Sequence, residues 1–243
     1  MKRKIILLFT VVFASCNNHE HAANSKDSVA AETVQADVIT IAEVEGVYRD
    51  TMPCADCAGI LTTIQLSADS TYLMEQEYLG KKGTGFFYNL GRWKLKDSIV
   101  TLSKIKDAPN SYKASLNSLL PLDKDGKEIR AAHLTYSLNR IANKNFKTKQ
   151  NIPLEGLFTY YADTHLFTVC ATGKTYPAAL TKETVPMERD YGSLKKGDKM
   201  PLLANVEGIF EMRPGIEGDK QEETFVIKKF IKFLPGENCK EGE

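Results

Sequence analysis

The stretch MPCADCAGI, residues 52–60, holds two thiols three positions apart, between two runs of alternating apolar residues. Pro53 fixes φ and removes a backbone donor, and Gly59 permits a positive φ, so the thiols lie in a tight bend. Residues 60–66 are rich in β-branched side chains and favour an extended strand. The stretch therefore predicts a loop between two strands, whereas a thioredoxin-type CxxC opens a helix.

Three interpretations of Cys54 and Cys57 remain open. The preferred one is a structural disulfide across the bend. The second is a soft-metal site, in which two thiolates, together with Met52 or Met74, bind Cu(I). The third is a redox-active pair. A complete tetrahedral zinc site is not expected, because the sequence lacks a second Cys/His pair at ligand spacing.

The N-terminus has the features of an export signal. A basic segment, residues 2–4, precedes an apolar segment, residues 5–13, that is too short to span a bilayer as a helix. Ala14 and Ser15 then lead into Cys16, an ending typical of bacterial lipoprotein signals. This predicts removal of residues 1–15 and acylation of Cys16, and several acyl chains anchor a protein almost permanently. The absence of Asp at the second mature position favours the outer membrane.

Residues 16–43 are predicted to be a flexible tether, because they contain few large apolar side chains. His19 and His21 are interpreted as incidental residues of this tether. The chain has 243 residues and a formal net charge of +1, with no cluster of basic residues, so nucleic acid is not an expected partner. Five cysteines suit an exported protein. With Cys16 acylated, the other four allow three pairings, and one pair in each half of the chain is favoured.

An all-β fold is predicted for residues 44–142. Short segments with two-residue periodicity alternate with turn signals, which indicates an antiparallel meander. The predicted strands are 44–51, 60–66, 71–79, 86–95, 99–103, 112–116, 118–122 and 134–141. Eight strands best hide their edges by closing into a barrel. Trp93, Phe87 and Tyr72 are expected to fill its core, and Thr71, Glu75 and Glu77 to face solvent.

A second domain is predicted at residues 153–243, after a polar and basic linker at 143–152. Strands are expected at 154–161, 166–170, 175–180, 202–212 and 224–233, with a helix at 181–193. Five strands with a helix between the third and fourth follow the OB-fold order. The sequence Glu-Gly-aliphatic-aromatic opens a strand in both halves, at residues 45–48, 155–158 and 207–210, where the glycine indicates a bulge or a close backbone approach.

Both halves resemble the NlpE family of envelope lipoproteins. The N-terminal resemblance rests on residues 45–48, 53–60, 69–72 and 91–93, and the C-terminal one on residues 161–163 and 167–174. It implies a lipocalin-like barrel followed by an OB-like domain. It also implies that Cys239 is the partner of Cys170, which leaves Cys54 with Cys57. The family is associated with copper resistance and with sensing of surface contact and envelope stress.

No enzyme mechanism can be assembled from the sequence, because His133 and His165 lie in different halves, outside any nucleophile–base–acid spacing. His165 is expected to be a surface turn residue. The leading hypothesis is a lipid-anchored protein that signals to the periplasmic domain of an envelope-stress sensor. The alternative is a carrier that holds Cu(I) at Cys54 and Cys57, or a small apolar ligand in the first barrel. A filled barrel favours the first hypothesis, and a cavity of several hundred Å³ favours the second.

Overall fold

The computed structural model describes residues 39–80, 85–106, 108–131, 134–142, 146–197, 199–215 and 220–240. It is an all-β structure, as predicted, with two closed barrels formed by consecutive parts of the chain. Cys16, His19, His21 and His133 lie outside the described residues. Within the described residues, none of the helices is both long and apolar enough to cross a membrane.

The first barrel is closed by eight antiparallel strands in the predicted order. Its strands are β1 (Gly46–Met52), β2 (Gly59–Leu66), β3 (Thr71–Leu79), β4 (Phe86–Lys96), β5 (Ile99–Leu102), β6 (Ser111–Ala114), β7 (Ser118–Leu122) and β10 (Leu138–Ile141). The prediction of one strand over residues 134–141 is wrong. Residues 134–135 (β9) instead pair with residues 130–131 (β8) as a separate two-stranded sheet. Pairing so close in sequence costs little loop entropy.

Large buried side chains fill one half of the first barrel. Trp93, Tyr72 and Met74 are at most 2% exposed, and the Trp93 indole N–H donates to the Ser67 carbonyl at 2.9 Å. Phe87 was expected in this core, but it is 51% exposed. It lies opposite Gln76 towards the end of the barrel where β4 begins, and its ring packs edge-on against Tyr78 at 5.2 Å. The expectation fails because alternation specifies the inward face of a strand, whereas depth in the barrel depends on register.

The other end of the first barrel is sealed by a helix that the sequence did not predict, α1 (Ile41–Val44). Val44 is fully buried, and its carbonyl accepts a hydrogen bond from the Tyr48 hydroxyl at 2.7 Å. Arg140 donates to the carbonyls of Glu43 and Glu45. The last residues of the predicted tether are therefore part of the barrel. The helix has only four residues, too few for periodicity to reveal it.

The second barrel has five strands. They are β11 (Ile152–Tyr161), β12 (Thr164–Val169), β13 (Thr175–Leu180), β14 (Leu202–Pro214) and β15 (Gln221–Leu234). The sheet closes in the order β11-β12-β13-β15-β14, with β13 and β15 parallel. Helix α2 (Pro186–Leu194) connects β13 to β14, which confirms the predicted OB order. It begins later than expected, at Pro186, a residue suited to the first helical position.

Gly208 shows why a glycine follows the glutamate in this motif, although the motif lies within β14 and does not open it as predicted. A Cβ atom at this position would lie 2.3 Å from the Val226 carbonyl oxygen. The pairing of β14 with β15 also shifts register between Glu207 and Gly208. The sequence predicted a bulge or a close backbone approach here, and it is the close approach that requires a residue without a side chain.

The two barrels contact each other through the outer face of β3 and β4. Leu73, Tyr88 and Leu90 pack against the hydrophobic core of the second barrel. Thr71 and Glu75, expected to face solvent, are only 6% and 3% exposed. Their outward direction was predicted correctly, but the chain itself covers this face. Polar alternation shows which side of a strand points outward and does not show what lies against it.

Candidate functional site

The CxxC loop joins β1 to β2 at one end of the first barrel. Cys54 and Cys57 form a disulfide with a Cα–Cα distance of 5.4 Å. The base of the loop is held by the pairing of Met52 with Ile60, and the Ala58 amide donates to the Leu79 carbonyl at 3.1 Å. The chain continues from Gly59 as a strand, as the sequence predicted. The loop is therefore a tied hairpin connection on the rim of a barrel.

In its oxidised form, this loop does not provide the ligands that Cu(I) prefers. The sulfur atoms and the carboxylate of Asp56 lie within 4.8 Å of one another, but a disulfide offers no thiolate. Asp56 supplies a hard oxygen ligand that Cu(I) does not prefer. Met74 is fully buried among the core side chains, whereas Met52 is half-buried beside the loop. A sulfur-ligand set exists only after reduction of the disulfide.

A cavity of about 540 Å³ opens at the same end of the barrel as the CxxC loop. Met52 and Pro53 line it, so the loop forms part of its rim. The barrel core is thus filled at the end sealed by α1 and open at the other. A filled core and a cavity were expected as alternatives, and this barrel has both.

A second disulfide joins Cys170 to Cys239 across a sequence separation of 69 residues, with a Cα–Cα distance of 5.2 Å. Cys170 follows directly after β12, and its amide donates to the Glu155 carbonyl at 3.0 Å. Cys239 lies beyond the end of β15. The bond therefore ties the segment after the last strand back to the sheet.

Charged groups link the two barrels at Lys174. Its ammonium group lies 2.7 Å from the Asp69 carboxylate of the first barrel and 3.1 Å from the Glu223 carboxylate of the second. Burial alone would lower the pKa of Lys174, but the hydrogen bond to Asp69 and the charge of Glu223 outweigh it and raise the pKa. Burial likewise opposes ionisation of Asp69, and hydrogen bonds from Lys174 and Thr71 override it, so the pKa of Asp69 is lowered.

The connection between the barrels also binds to the first one. The Glu75 carboxylate accepts hydrogen bonds from the Lys149 amide at 2.9 Å and from the Tyr88 hydroxyl at 3.0 Å. Lys149 also forms an ion pair with Glu77 at 2.6 Å. Burial, reinforced by the charge of Glu75, raises the pKa of Tyr88 to about 12. Its hydroxyl therefore stays protonated and donates to Glu75.

His165 is a packing residue and not a surface turn residue, contrary to expectation. Its ring stacks on Tyr160 at 4.6 Å, and its Nε2 atom lies 2.9 Å from the Glu188 carboxylate of α2. The side chain is 18% exposed. His165 thus attaches the helix to β12. No pattern in the sequence indicates this contact, because Glu188 lies 23 residues further along the chain.

The lysines and aromatic residues of β15 point in different directions. Phe225 and Phe233 are buried in the barrel, while Lys229 and Lys232 are exposed. A platform for single-stranded nucleic acid needs aromatic and cationic groups on one face. This strand does not provide that surface.

Two consecutive closed barrels, each with its own disulfide, define a class of all-β proteins with two barrels. Comparison with known families assigns both halves. The NlpE N-terminal domain matches residues 48–132, and the NlpE C-terminal OB domain matches residues 148–240. The matches together cover most of the sequence, and the chain belongs to the NlpE family.

The chain is also similar to individual proteins. The chain is 29% identical to lipoprotein NlpE of Escherichia coli K12 over 236 residues, which is 97% of this chain and 93% of that protein. It is 30% identical to the crystal structure of the Cpx pathway activator NlpE from Escherichia coli, covering 81% of this chain and 98% of that one, with a TM-score of 0.36. A putative lipoprotein from Shewanella oneidensis is 33% identical over 41% of this chain and 91% of its own, also with a TM-score of 0.36.

Proposed function

We propose that this protein is a lipid-anchored signalling protein of the bacterial envelope that reports envelope stress and does not catalyse a reaction. Its anchor is the lipid on Cys16 in the outer membrane, and its barrels face the periplasm. Its partner is the periplasmic domain of an envelope-stress sensor. Family membership across both barrels supports this role, since one relative is described as a pathway activator.

The Cys170–Cys239 disulfide is the observation that carries the proposal. Bonds of this kind persist in oxidising compartments such as the periplasm. Because it closes the second barrel over 69 residues, its loss frees the segment after β15 and loosens that barrel. The second barrel is therefore suited to report failed oxidation.

A stress-reporter assay tests this role. In a strain whose own copy is deleted, Cys170→Ser should raise an envelope-stress reporter several-fold over the wild type. Cys54→Ser is the matched control, since it removes a disulfide but leaves the second barrel intact. A reporter that responds to neither overexpression of the wild type nor Cys170→Ser would exclude the signalling role.

Copper binding is a second candidate, favoured by the closeness of the Cys54 and Cys57 sulfur atoms. Cu(I) would bind the reduced loop through the two thiolates, which also makes the site dependent on redox state. Anaerobic Cu(I) titration of the reduced protein should show one equivalent of tight binding, lost in Cys54→Ser/Cys57→Ser. Equal binding by the double variant would remove the loop as a copper site.

A further inference from the structure

The cavity at the open end of the first barrel is an interior space that core side chains leave unfilled. The strand register places two layers of side chains around it: Met52, Ile60 and Tyr78 in one, and Thr62, Gln76 and Phe87 in the next. The packed core begins in the following layer, which includes Ile64 and Met74. The cavity, at about 540 Å³, is within the usual range for small-molecule sites.

Residues 104–106, 108 and 109, between β5 and β6, form another wall, and hydrogen bonds hold the chain on either side of them. The Tyr72 hydroxyl donates to the Ser103 carbonyl at 2.5 Å, and the Tyr112 hydroxyl donates to the Pro109 carbonyl at 2.9 Å. Burial raises the pKa of both tyrosines, so both hydroxyls remain donors at neutral pH. The two ends of this wall are therefore held before any ligand arrives, which reduces the entropy lost on binding.

The cavity is amphipathic. Met52, Ile60, Phe87 and Ile105 supply apolar surface, and Phe87 exposes half of its surface although it is a large aromatic residue. At the rim, two exposed lysines, Lys104 and Lys106, also line the cavity. An apolar interior with cations at its entrance matches a molecule that has one apolar chain and one anionic group.

We propose that this cavity binds a single-chain anionic amphiphile such as a fatty acid. The chain lies between Met52, Ile60 and Phe87, and the anionic group lies at Lys104 and Lys106. This site is additional to the signalling role and does not depend on it, since it requires neither the disulfides nor a partner protein.

Laurate is a suitable probe for the site. The protein would be the chain from Asn17 onward, which contains both barrels but no acyl group of its own. Calorimetric titration below the micelle concentration should show one laurate per chain. Neutral dodecanol should bind about tenfold more weakly, because it cannot form ion pairs with the two exposed lysines.

Two sets of variants locate the site. Gln76→Trp should fill the cavity and abolish laurate binding, and Lys104→Glu/Lys106→Glu should weaken it by about tenfold or more. Lys94→Glu, an exposed reversal on β4 outside the cavity lining, should bind like the wild type. The lysine variants change only exposed residues, so they test the site even if Gln76→Trp does not fold.

Three results would overturn the proposal. The first is no laurate binding by the wild type, and the second is binding that persists unchanged in folded Gln76→Trp. The third is equal affinity for laurate and dodecanol together with no effect of Lys104→Glu/Lys106→Glu.

Discussion

At the residue scale, the two disulfides differ in how much chain each encloses. Cys54 and Cys57 are 3 positions apart, whereas Cys170 and Cys239 are 69 apart. In the chain-entropy description, a bond stabilises by restricting the unfolded chain, by about 2 kcal/mol for the short loop and about 4.4 kcal/mol for the long one. The second bond is thus the larger contributor to the stability of its barrel.

Cys170→Ser is therefore expected to lower the free energy of unfolding of the second barrel by several kcal/mol, and Cys54→Ser to cost the first barrel at most about 2 kcal/mol. Trp93 is the single tryptophan of the sequence, and it is buried in the first barrel. In Cys170→Ser, denaturation followed by circular dichroism should thus show an early transition that Trp93 fluorescence does not. Identical transitions with both probes would contradict the expectation that Cys170→Ser destabilises the second barrel and not the first.

Cys16 carries a prediction of its own, although it lies outside the described residues. Cys16→Ser should prevent acylation, because the hydroxyl cannot replace the thiol that receives the lipid. The variant should be found as uncleaved precursor or as soluble protein after fractionation and mass measurement. A variant that remains in the membrane with the mass of the mature wild type would disprove acylation at this residue.

At the scale of elements, α1 closes one end of the first barrel and Arg140 holds it there. The guanidinium group donates to the carbonyls of Glu43 and Glu45 and to the Tyr48 hydroxyl. It also lies over the Tyr48 ring, 4.9 Å from its centre. A single side chain of β10 thus satisfies the end of the helix and the start of β1.

Arg140→Ala should destabilise the first barrel by about 1–3 kcal/mol, because the carbonyls of Glu43 and Glu45 and the Tyr48 hydroxyl each lose a hydrogen bond from a charged donor. Urea denaturation followed by Trp93 fluorescence measures this loss. Arg130→Ala is the matched control, because Arg130 is exposed and its ion pair with Glu128 lies in solvent, where such pairs contribute little to stability. Equal losses in the two variants would mean that Arg140 does not hold the helix.

At the scale of the whole molecule, the contact between the barrels combines apolar packing with buried polar groups. Glu75 of the first barrel accepts hydrogen bonds from the connection, and Lys174 of the second barrel reaches Asp69. Because these groups come from both barrels and the connection, we expect the two barrels to move as one unit at neutral pH. The boundary predicted at residues 143–152 remains a proposal.

Lys174→Met should loosen this contact and expose the connection to proteases. Trypsin should then cut at Lys147 or Lys149 faster than in the wild type, while both barrels stay intact. Lys94→Met is the control, since it removes an exposed lysine from the first barrel without affecting the contact. A first cut within either barrel, or an unchanged rate at the connection, would argue against the role of Lys174.

The same contact should depend on pH in one direction. The pKa of Asp69 is lowered in the folded protein. Ionised Asp69 therefore stabilises the contact fully above the ordinary pKa of about 3.9, and this stabilisation is lost as the pH falls through the lowered pKa. The distance between the barrels, followed by small-angle scattering, should increase only below about pH 4. Asp69→Asn should abolish this step if Trp93 fluorescence shows that the first barrel stays folded.

The sequence by itself determined the features that depend on short-range pattern. Two-residue alternation and turn residues predicted the strands of both barrels, and the order of strands and helix predicted the OB topology. The position of CxxC between two strands followed from Pro53 and Gly59. These features are local, because each strand and turn is specified by residues within a few positions of one another.

The tertiary structure decided what lies against each face. Glu75 and Phe87 show this in opposite senses. An outward carboxylate is buried because the connection between the barrels lies against it, and an inward aromatic is exposed because it lies at the open end. The pairs Lys174–Asp69 and His165–Glu188 likewise join residues far apart in sequence. Alternation fixes the direction of a side chain, but its burial depends on register and on which surfaces meet, and these depend on the whole chain.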